Sequence, residues 1–146
     1  MTSQVCVDAG ILLKLVLSEP DSDLADRLWR SWLMGGIQPV APALLRFEVT
    51  AVLRKHVHRG TISQATGLAA LQKALAFNVE EIDFPEIHLR AFEIARLFNQ
   101  PTAYDAHYLA LSEWLDCEYW TADTRLYNAA RNQFSKMHWL GHSPSP

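Results

Sequence analysis

The chain has 146 residues, of which 49% are hydrophobic and 20% are charged, and its formal net charge at neutral pH is -3. This length and composition are typical of one globular domain with its own core, and they exclude an intrinsically disordered chain. The small acidic excess argues against a general polyanion binder, so a nucleic-acid substrate would need a local basic patch or bound cations to attract it.

The two cysteines and the apolar N-terminal stretch indicate a protein of a reducing compartment. Cys6 and Cys117 do not form a CxxC pair, so two buried thiols are expected rather than a disulfide framework or a zinc site. Residues 5–17 are rich in apolar side chains, but Asp8 and Lys14 interrupt them, and the stretch is too short to span a bilayer. We therefore expect a cytoplasmic protein without a membrane segment.

Hydrophobic periodicity and turn residues predict strands that alternate with helices along the chain. In chain order, the predicted strands cover residues 4–7, 37–41, 77–82, 117–120 and 136–140. The predicted helices cover residues 9–17, 23–34, 43–59, 64–76, 85–98 and 104 to about 116, and a last short helix starts near Asp123 and continues over 126–130. Such alternation favours parallel pairing through right-handed crossovers. We predict an α/β fold, a three-layer α/β/α sandwich with a central, mainly parallel sheet, formed by a single domain of residues 1–140 with a flexible tail of residues 141–146.

Four carboxylates fall at comparable places in this predicted fold. Asp8 and Asp123 follow the ends of two strands, and Asp105 lies in the first turn of a helix that Thr102 can cap. Glu48 lies among the apolar positions of a long helix. Crossover topology can bring all four to the edge of the sheet where ligands bind, and their mutual repulsion would then require a cation. Carboxylate oxygens are preferred ligands of Mg²⁺ and Mn²⁺, which activate phosphodiesters for hydrolysis.

Some of these residues have purely structural alternatives. Glu48 could be held in a salt bridge with Arg46 or Arg54, because a buried carboxylate is otherwise costly. Trp29 and Trp32 are spaced for the core or for a subunit contact rather than for stacking on bases. Other catalytic chemistries have little support, since the six histidines show no zinc-binding spacing and no glycine-rich phosphate loop is present.

Four short motifs, in order and at the appropriate spacing, resemble those of the PIN domain family. They are residues 7–14 (VDAGILLK), 41–49 (APALLRFEV), 104–111 (YDAHYLAL) and 121–126 (TADTRL). Each motif is short, but together they extend over most of the chain, from Val5 to about Leu140. The chain is most similar to the small single-domain PIN ribonucleases that act as VapC-like toxins of toxin–antitoxin pairs.

This resemblance implies a Mg²⁺- or Mn²⁺-dependent endoribonuclease. Asp8, Glu48, Asp105 and Asp123 would surround the metal, and Thr121 would assist through its hydroxyl. A metal-activated water would attack the phosphorus of RNA and leave a 5′-phosphate. The resemblance also implies a homodimer and a separate antitoxin protein that covers the active-site groove.

The chain departs from the family at Gly10, where members often have serine or threonine. A hydroxyl that could orient water or phosphate is therefore missing, which predicts less efficient catalysis. For RNA contacts, Lys14 and Arg125 are expected near the acidic edge. The densest basic run, residues 54–59, is either a phosphate contact or a solvated helix face.

Two other classes of protein compete with the nuclease hypothesis. One is a non-catalytic PIN-like interaction module whose acids are held in salt bridges. The other is a phospho-acceptor or phosphatase domain of similar architecture. The second needs paired acids at the first strand, whereas Asp8 is followed by Ala9 and Gly10.

Overall fold

In the computed structural model, which describes residues 3–142, five parallel strands form one sheet. The strands are β1 (Gln4–Val7), β2 (Gln38–Ala41), β3 (Glu80–Glu81), β4 (Glu118–Thr121) and β5 (Met137–Trp139). Their order across the sheet is β3-β2-β1-β4-β5, so the first strand of the chain is central and its sequence-distant partner β4 lies beside it. The predicted α/β class with a parallel sheet is confirmed.

Seven helices connect and cover these strands. They are α1 (Ala9–Val16), α2 (Ser22–Met34), α3 (Leu44–His58), α4 (Gln64–Ala76), α5 (Ile87–Leu97), α6 (Tyr104–Leu115) and α7 (Thr124–Ala130), followed by a 3-10 helix at Leu140–His142. Gly141 and His142, the first residues of the predicted tail, belong to the 3-10 helix, and residues 143–146 lie outside the described residues. No helix in residues 3–142 is long and apolar enough to cross a membrane.

Local backbone geometry explains where the predicted boundaries were wrong. The strand predicted at 77–82 is reduced to Glu80–Glu81, because the N–H of Val79 donates to the carbonyl of Phe77 in a tight turn instead of joining the sheet. The helix α6 begins at Tyr104 after Ala103, which makes no side-chain capping bond, so the predicted Thr102 cap is wrong. The last helix begins at Thr124 directly after Asp123, which caps it, as expected for a carboxylate at the start of this helix.

The tryptophans predicted to be in the core are there. Trp29 and Trp32 are both 4% exposed and pack edge to face with ring centroids 5.6 Å apart. Trp32 also contacts Trp120 on β4, which ties α2 to the sheet. Cys6 is buried and Cys117 is half-buried, and both are free thiols. The core therefore holds β1 and β4 side by side, and this arrangement fixes the position of the acidic residues at their ends.

Candidate metal centre

The carboxyl ends of β1 and β4 meet at the same edge of the sheet. Val7, the last residue of β1, is in register with Trp120, and the N–H of Asp8 lies 3.4 Å from the Trp120 carbonyl oxygen. Asp8 and Thr121 are therefore neighbours although they are distant in the sequence. Ligand sites of parallel sheets form at this edge.

Asp8 is a buried carboxylate with both oxygens hydrogen-bonded. Its Oδ1 accepts a bond of 2.9 Å from the N–H of Ile11 and so caps α1. Its Oδ2 accepts bonds of 2.5 Å from the Thr121 hydroxyl and 3.2 Å from the N–H of Ala122. Burial raises the pKa of Asp8 to about 6; these hydrogen bonds oppose the shift, and the nearby charge of Asp105 adds to it.

Thr121 also positions Asp123. The N–H of Asp123 donates to the Thr121 hydroxyl oxygen at 2.9 Å. Oδ1 of Asp123 then accepts from the N–H groups of Arg125 and Leu126 at 2.9 and 3.1 Å, which caps α7. These bonds fix the carboxylate while leaving its Oδ2 free of hydrogen bonds within the described part of the chain.

Glu48 is half-buried on α3 and is held by a tyrosine. The hydroxyl of Tyr108 on α6 donates to Oε1 of Glu48 at 2.7 Å. Burial raises the pKa of Glu48, the Tyr108 bond lowers it, and the charge of Asp105 raises it. The alternative salt bridge is not found in residues 3–142, since Arg46 pairs with Glu81 instead.

Asp105 lies in the first turn of α6, as predicted from the sequence. It is half-buried and, within residues 3–142, accepts no hydrogen bond. Burial raises its pKa, and the charge of Asp123 raises it further. The electrostatic links from Asp105 to Asp8, Glu48 and Asp123 show that the four carboxylates share one environment.

All four carboxylates line a single groove of about 370 Å³, which we call the acid groove. Its wall also includes Lys14, Glu19, His56 and Tyr108. Among residues 3–142, no three histidine, cysteine, aspartate or glutamate side chains converge closely enough to hold an ion directly. The acids therefore surround an open space. Mg²⁺ usually retains several waters and binds only one or two carboxylates, so this donor set fits a hydrated Mg²⁺ or Mn²⁺.

The basic residues divide into engaged and exposed groups. Lys14 lines the acid groove, but its Nζ donates to the carbonyl of Pro20 at 2.7 Å and lies 3.8 Å from Glu19.

His56 lines the groove from α3, with its Nδ1 3.0 Å from the Thr61 hydroxyl. Around it, Arg54, Lys55, His58 and Arg59 are exposed.

Three groove residues were missed by the sequence reasoning, and one of them is Glu19, which was assigned only to a loop. His56 was considered only as part of a basic run. Tyr108 fell on an apolar helix face, where a tyrosine is indistinguishable from an ordinary core residue. Its only distinguishing signal is its position three residues after Asp105, which places it on the same side of the helix.

Comparisons with known proteins agree with this fold. The family model of the PIN domain matches residues 5–132, and the chain belongs to this family. Similar proteins include Ribonuclease VapC9 of Mycobacterium tuberculosis (strain ATCC 25618 / H37Rv) and VapC ribonuclease Mb0985 of Mycobacterium bovis (strain ATCC BAA-935 / AF2122/97). Each is 34% identical over 92 residues, which cover 63% of this chain and 70% of the relative.

Two solved structures are also similar in fold. PAE2754 from Pyrobaculum aerophilum superposes with a TM-score of 0.70 at 18% identity, covering 97% of this chain and 92% of that one. VapC20 of Mycobacterium tuberculosis, described as a sarcin-ricin loop cleaving toxin, superposes with a TM-score of 0.66 at 15% identity. The superposition covers 89% of this chain and 95% of that one. At these identities the likeness supports the fold alone.

Proposed function

We propose that this protein is a metal-dependent endoribonuclease and the toxin of a toxin–antitoxin pair. The observation that carries the proposal is the convergence of four carboxylates on one groove at the carboxyl edge of a PIN sheet. The relatives named as VapC ribonucleases support RNA as the substrate. A single domain of residues 1–140 that acts in the cytoplasm is part of the same proposal.

Asp8, Glu48, Asp105 and Asp123 would hold Mg²⁺ or Mn²⁺, the hard ions that carboxylates favour. When bound, the ion would polarise the phosphodiester and favour ionisation of the attacking water. It would also offset the burial and the mutual repulsion that raise the pKa values of Asp8, Glu48 and Asp105.

The chain's own residues have distinct roles in this mechanism. Thr121 orients Asp8 and Asp123 at once, because its hydroxyl donates to one and accepts from the backbone of the other. Tyr108 orients Glu48. Asp105 accepts no hydrogen bond within residues 3–142, unlike the other three acids. Its side chain could therefore change rotamer when the scissile phosphate binds.

RNA would approach along α3. His56 borders the acid groove, and the exposed cations of residues 54–59 continue from it along the same helix. Phosphate contacts of this kind supply most of the affinity for a nucleic acid without specifying its sequence. These cations would offset the net negative charge of the chain where RNA approaches.

The decisive experiment is cleavage of total RNA by the purified protein with Mn²⁺ or with EDTA. Discrete products are expected only with metal, and Asp105→Asn should abolish them together with growth inhibition. Asp26→Asn is the matched control, since Asp26 is exposed on α2 and pairs with the exposed Arg30. Equal cleavage by Asp105→Asn would contradict the proposal. Folded protein without cleavage or stabilisation by Mn²⁺ would favour the interaction module.

The proposed partners are a separate antitoxin protein that occupies the acid groove and a second copy of the chain. Large apolar side chains are exposed on α3, α5 and α6, namely Phe47, Leu89, Phe92, Tyr104 and Trp114. The helices α5 and α6 pack against each other, and several exposed large apolar side chains on these neighbouring helices favour burial against a partner. Light scattering should show a dimer that Phe92→Glu weakens and Leu33→Glu, on α2, does not.

A further inference from the structure

Two histidines form a close pair outside the acid groove. His88 is on α5 and His107 is on α6, and Nδ1 of His88 lies 2.9 Å from Nε2 of His107. Their rings meet at 64° with centroids 5.1 Å apart. His107 follows Asp105 by two residues, so the two side chains leave α6 on different sides. Accordingly, the pair lines a separate cavity.

The hydrogen bonds of His107 fix which of its nitrogens carries a proton. Its Nδ1 lies 2.6 Å from the carbonyl oxygen of Ala103, which can only accept, so Nδ1 carries the hydrogen. In the neutral ring Nε2 then has a free lone pair, and His88 must donate to it from Nδ1. A single proton therefore lies between two nitrogens that are both able to bind a metal.

We propose that His88 and His107 form a binding site for a divalent transition-metal ion such as Zn²⁺. The ion would take the place of the proton that the two nitrogens share. A tetrahedral zinc ion with Zn–N bonds of about 2.0–2.1 Å separates two imidazole nitrogens by about 3.3 Å. The observed 2.9 Å needs to open by a few tenths of an ångström, and the two rings need to tilt so that both nitrogens aim at one ion. His88 is exposed and can make this adjustment.

The protons balance without any co-reactant. When His88 binds the ion through Nδ1, its proton moves to Nε2 by way of solvent, and the neutral pair releases none. His107 keeps its Nδ1 proton on the carbonyl of Ala103. A histidine ligand commonly donates its second nitrogen to a backbone carbonyl, which orients the ring and strengthens it as a ligand. This outer contact is already formed.

The remaining coordination positions would be filled by water or by Asp83. This aspartate lines the same cavity of about 830 Å³ as both histidines. Because no group of three potential ligands is preformed in residues 3–142, the site is open and its affinity moderate. Imidazole selects zinc, copper and nickel over magnesium, whereas the acid groove has the opposite preference. One chain would thus bear two metal sites of different selectivity.

The test is a Zn²⁺ titration of the full chain without a histidine tag, followed by proton–nitrogen NMR of the histidine rings. The proposal expects His88 to change from the Nδ1–H to the Nε2–H tautomer while His107 keeps Nδ1–H. The substitution His88→Gln should abolish the zinc-dependent shift of the His107 ring resonances and weaken zinc binding about tenfold or more. His58→Gln removes an exposed histidine of α3 and should change neither. An excess of Mg²⁺ should not shift either ring.

Several outcomes would overturn the proposal. These are unchanged His88 and His107 resonances at saturating zinc, equal weakening by His58→Gln, or full zinc affinity in both His88→Gln and His107→Gln. Light scattering that shows zinc bridging separate molecules through other residues would also contradict it. None of these readouts uses RNA, so failure of the ribonuclease proposal would leave the result interpretable.

Discussion

The hydroxyl of Tyr108 donates to Oε1 of Glu48 at 2.7 Å and thereby joins helix α6 to helix α3 at the acid groove. The ring of Tyr108 is 1% exposed and stacks on Tyr119 with centroids 6.2 Å apart. Burial raises the pKa of Tyr108 far above its usual value, so the hydroxyl keeps its proton and remains a donor. The position of one predicted metal ligand therefore depends on the packing of another helix.

Replacing Tyr108 with phenylalanine should loosen Glu48 without disturbing the stack. A hydrogen bond to a charged group contributes about 1.5–3 kcal/mol, and Tyr108→Phe should lower the free energy of unfolding by about that amount in urea at pH 7.5. Mn²⁺ binding, measured by calorimetry, should weaken as well. The control is Tyr104→Phe, because Tyr104 is 58% exposed and makes no hydrogen bond within the described residues. Equal stability of the two variants would show that Tyr108 only fills space.

Thr121→Val should lower the free energy of unfolding by more than its nearly unchanged side-chain volume suggests. The Thr121 hydroxyl serves both Asp8 and the N–H of Asp123, and the residue is fully buried. Loss of the hydroxyl removes a hydrogen bond from the buried carboxylate of Asp8 and leaves the half-buried N–H of Asp123 without its acceptor, at a cost of about 1–3 kcal/mol. Thr121→Ser keeps the hydroxyl and loses one methyl group, worth about 1 kcal/mol. Urea unfolding of both variants checks the order, and a less stable serine variant would contradict it.

The stability of the metal-free protein should depend on the ionisation of Asp8. Its pKa rises from an ordinary value of 3.8 to about 6 on folding, so the folded chain holds this proton more tightly than the unfolded chain. As the pH rises from about 4 through about 6, ionisation of Asp8 therefore lowers the free energy of unfolding by about 3 kcal/mol in total. The raised pKa values of Glu48 and Asp105 act in the same direction.

Urea unfolding in EDTA at pH 4.5 and 7.5 measures this effect when wild type is compared with Asp8→Asn. The variant should gain stability relative to wild type as the pH rises, because it has no charge to ionise. Mn²⁺ at pH 7.5 should stabilise the wild type and have less effect on the variant. A difference between the two proteins that is independent of pH would contradict the buried, weakly acidic state of Asp8.

Gly10 occupies a position where a side chain would be crowded. A Cβ there would lie 3.2 Å from Cβ of Ala122 and 3.3 Å from Oδ1 of Asp8. Gly10→Ala should therefore be tolerated better when Ala122→Gly removes the first contact. We expect a favourable coupling energy of about 1 kcal/mol in the double-mutant cycle of unfolding free energies. Additive effects would show that the groove has room at Gly10.

Much of the fold could be predicted because its signals are local. Short apolar runs identified β1 and β4, and the helices between successive strands implied their parallel pairing. The extent of β3 could not be predicted, because Phe77 is apolar like a strand residue but packs against Trp29 from outside the sheet. Its hydrophobicity reflects tertiary packing, which the pattern alone does not distinguish from strand formation.

The positions of some site residues could also be predicted from the sequence. Asp8 and Asp123 were located by the rule that parallel strands end at one edge, and both prove to be helix caps there. The role of Tyr108 depends on how α6 crosses α3, a contact between residues 60 apart that no periodicity encodes. The pairing of Arg46 with Glu81 rather than Glu48 depends on tertiary geometry in the same way.

The adjacency of β1 and β4 has a consequence for the biosynthesis of the protein. The bond between Asp8 and Thr121 spans 113 residues, so the groove cannot close until β4 has emerged from the ribosome. Pairing across so long a stretch is also slow to form. A chain that stops before β4 therefore lacks Thr121 and Asp123, and it cannot assemble the acid groove around Asp8.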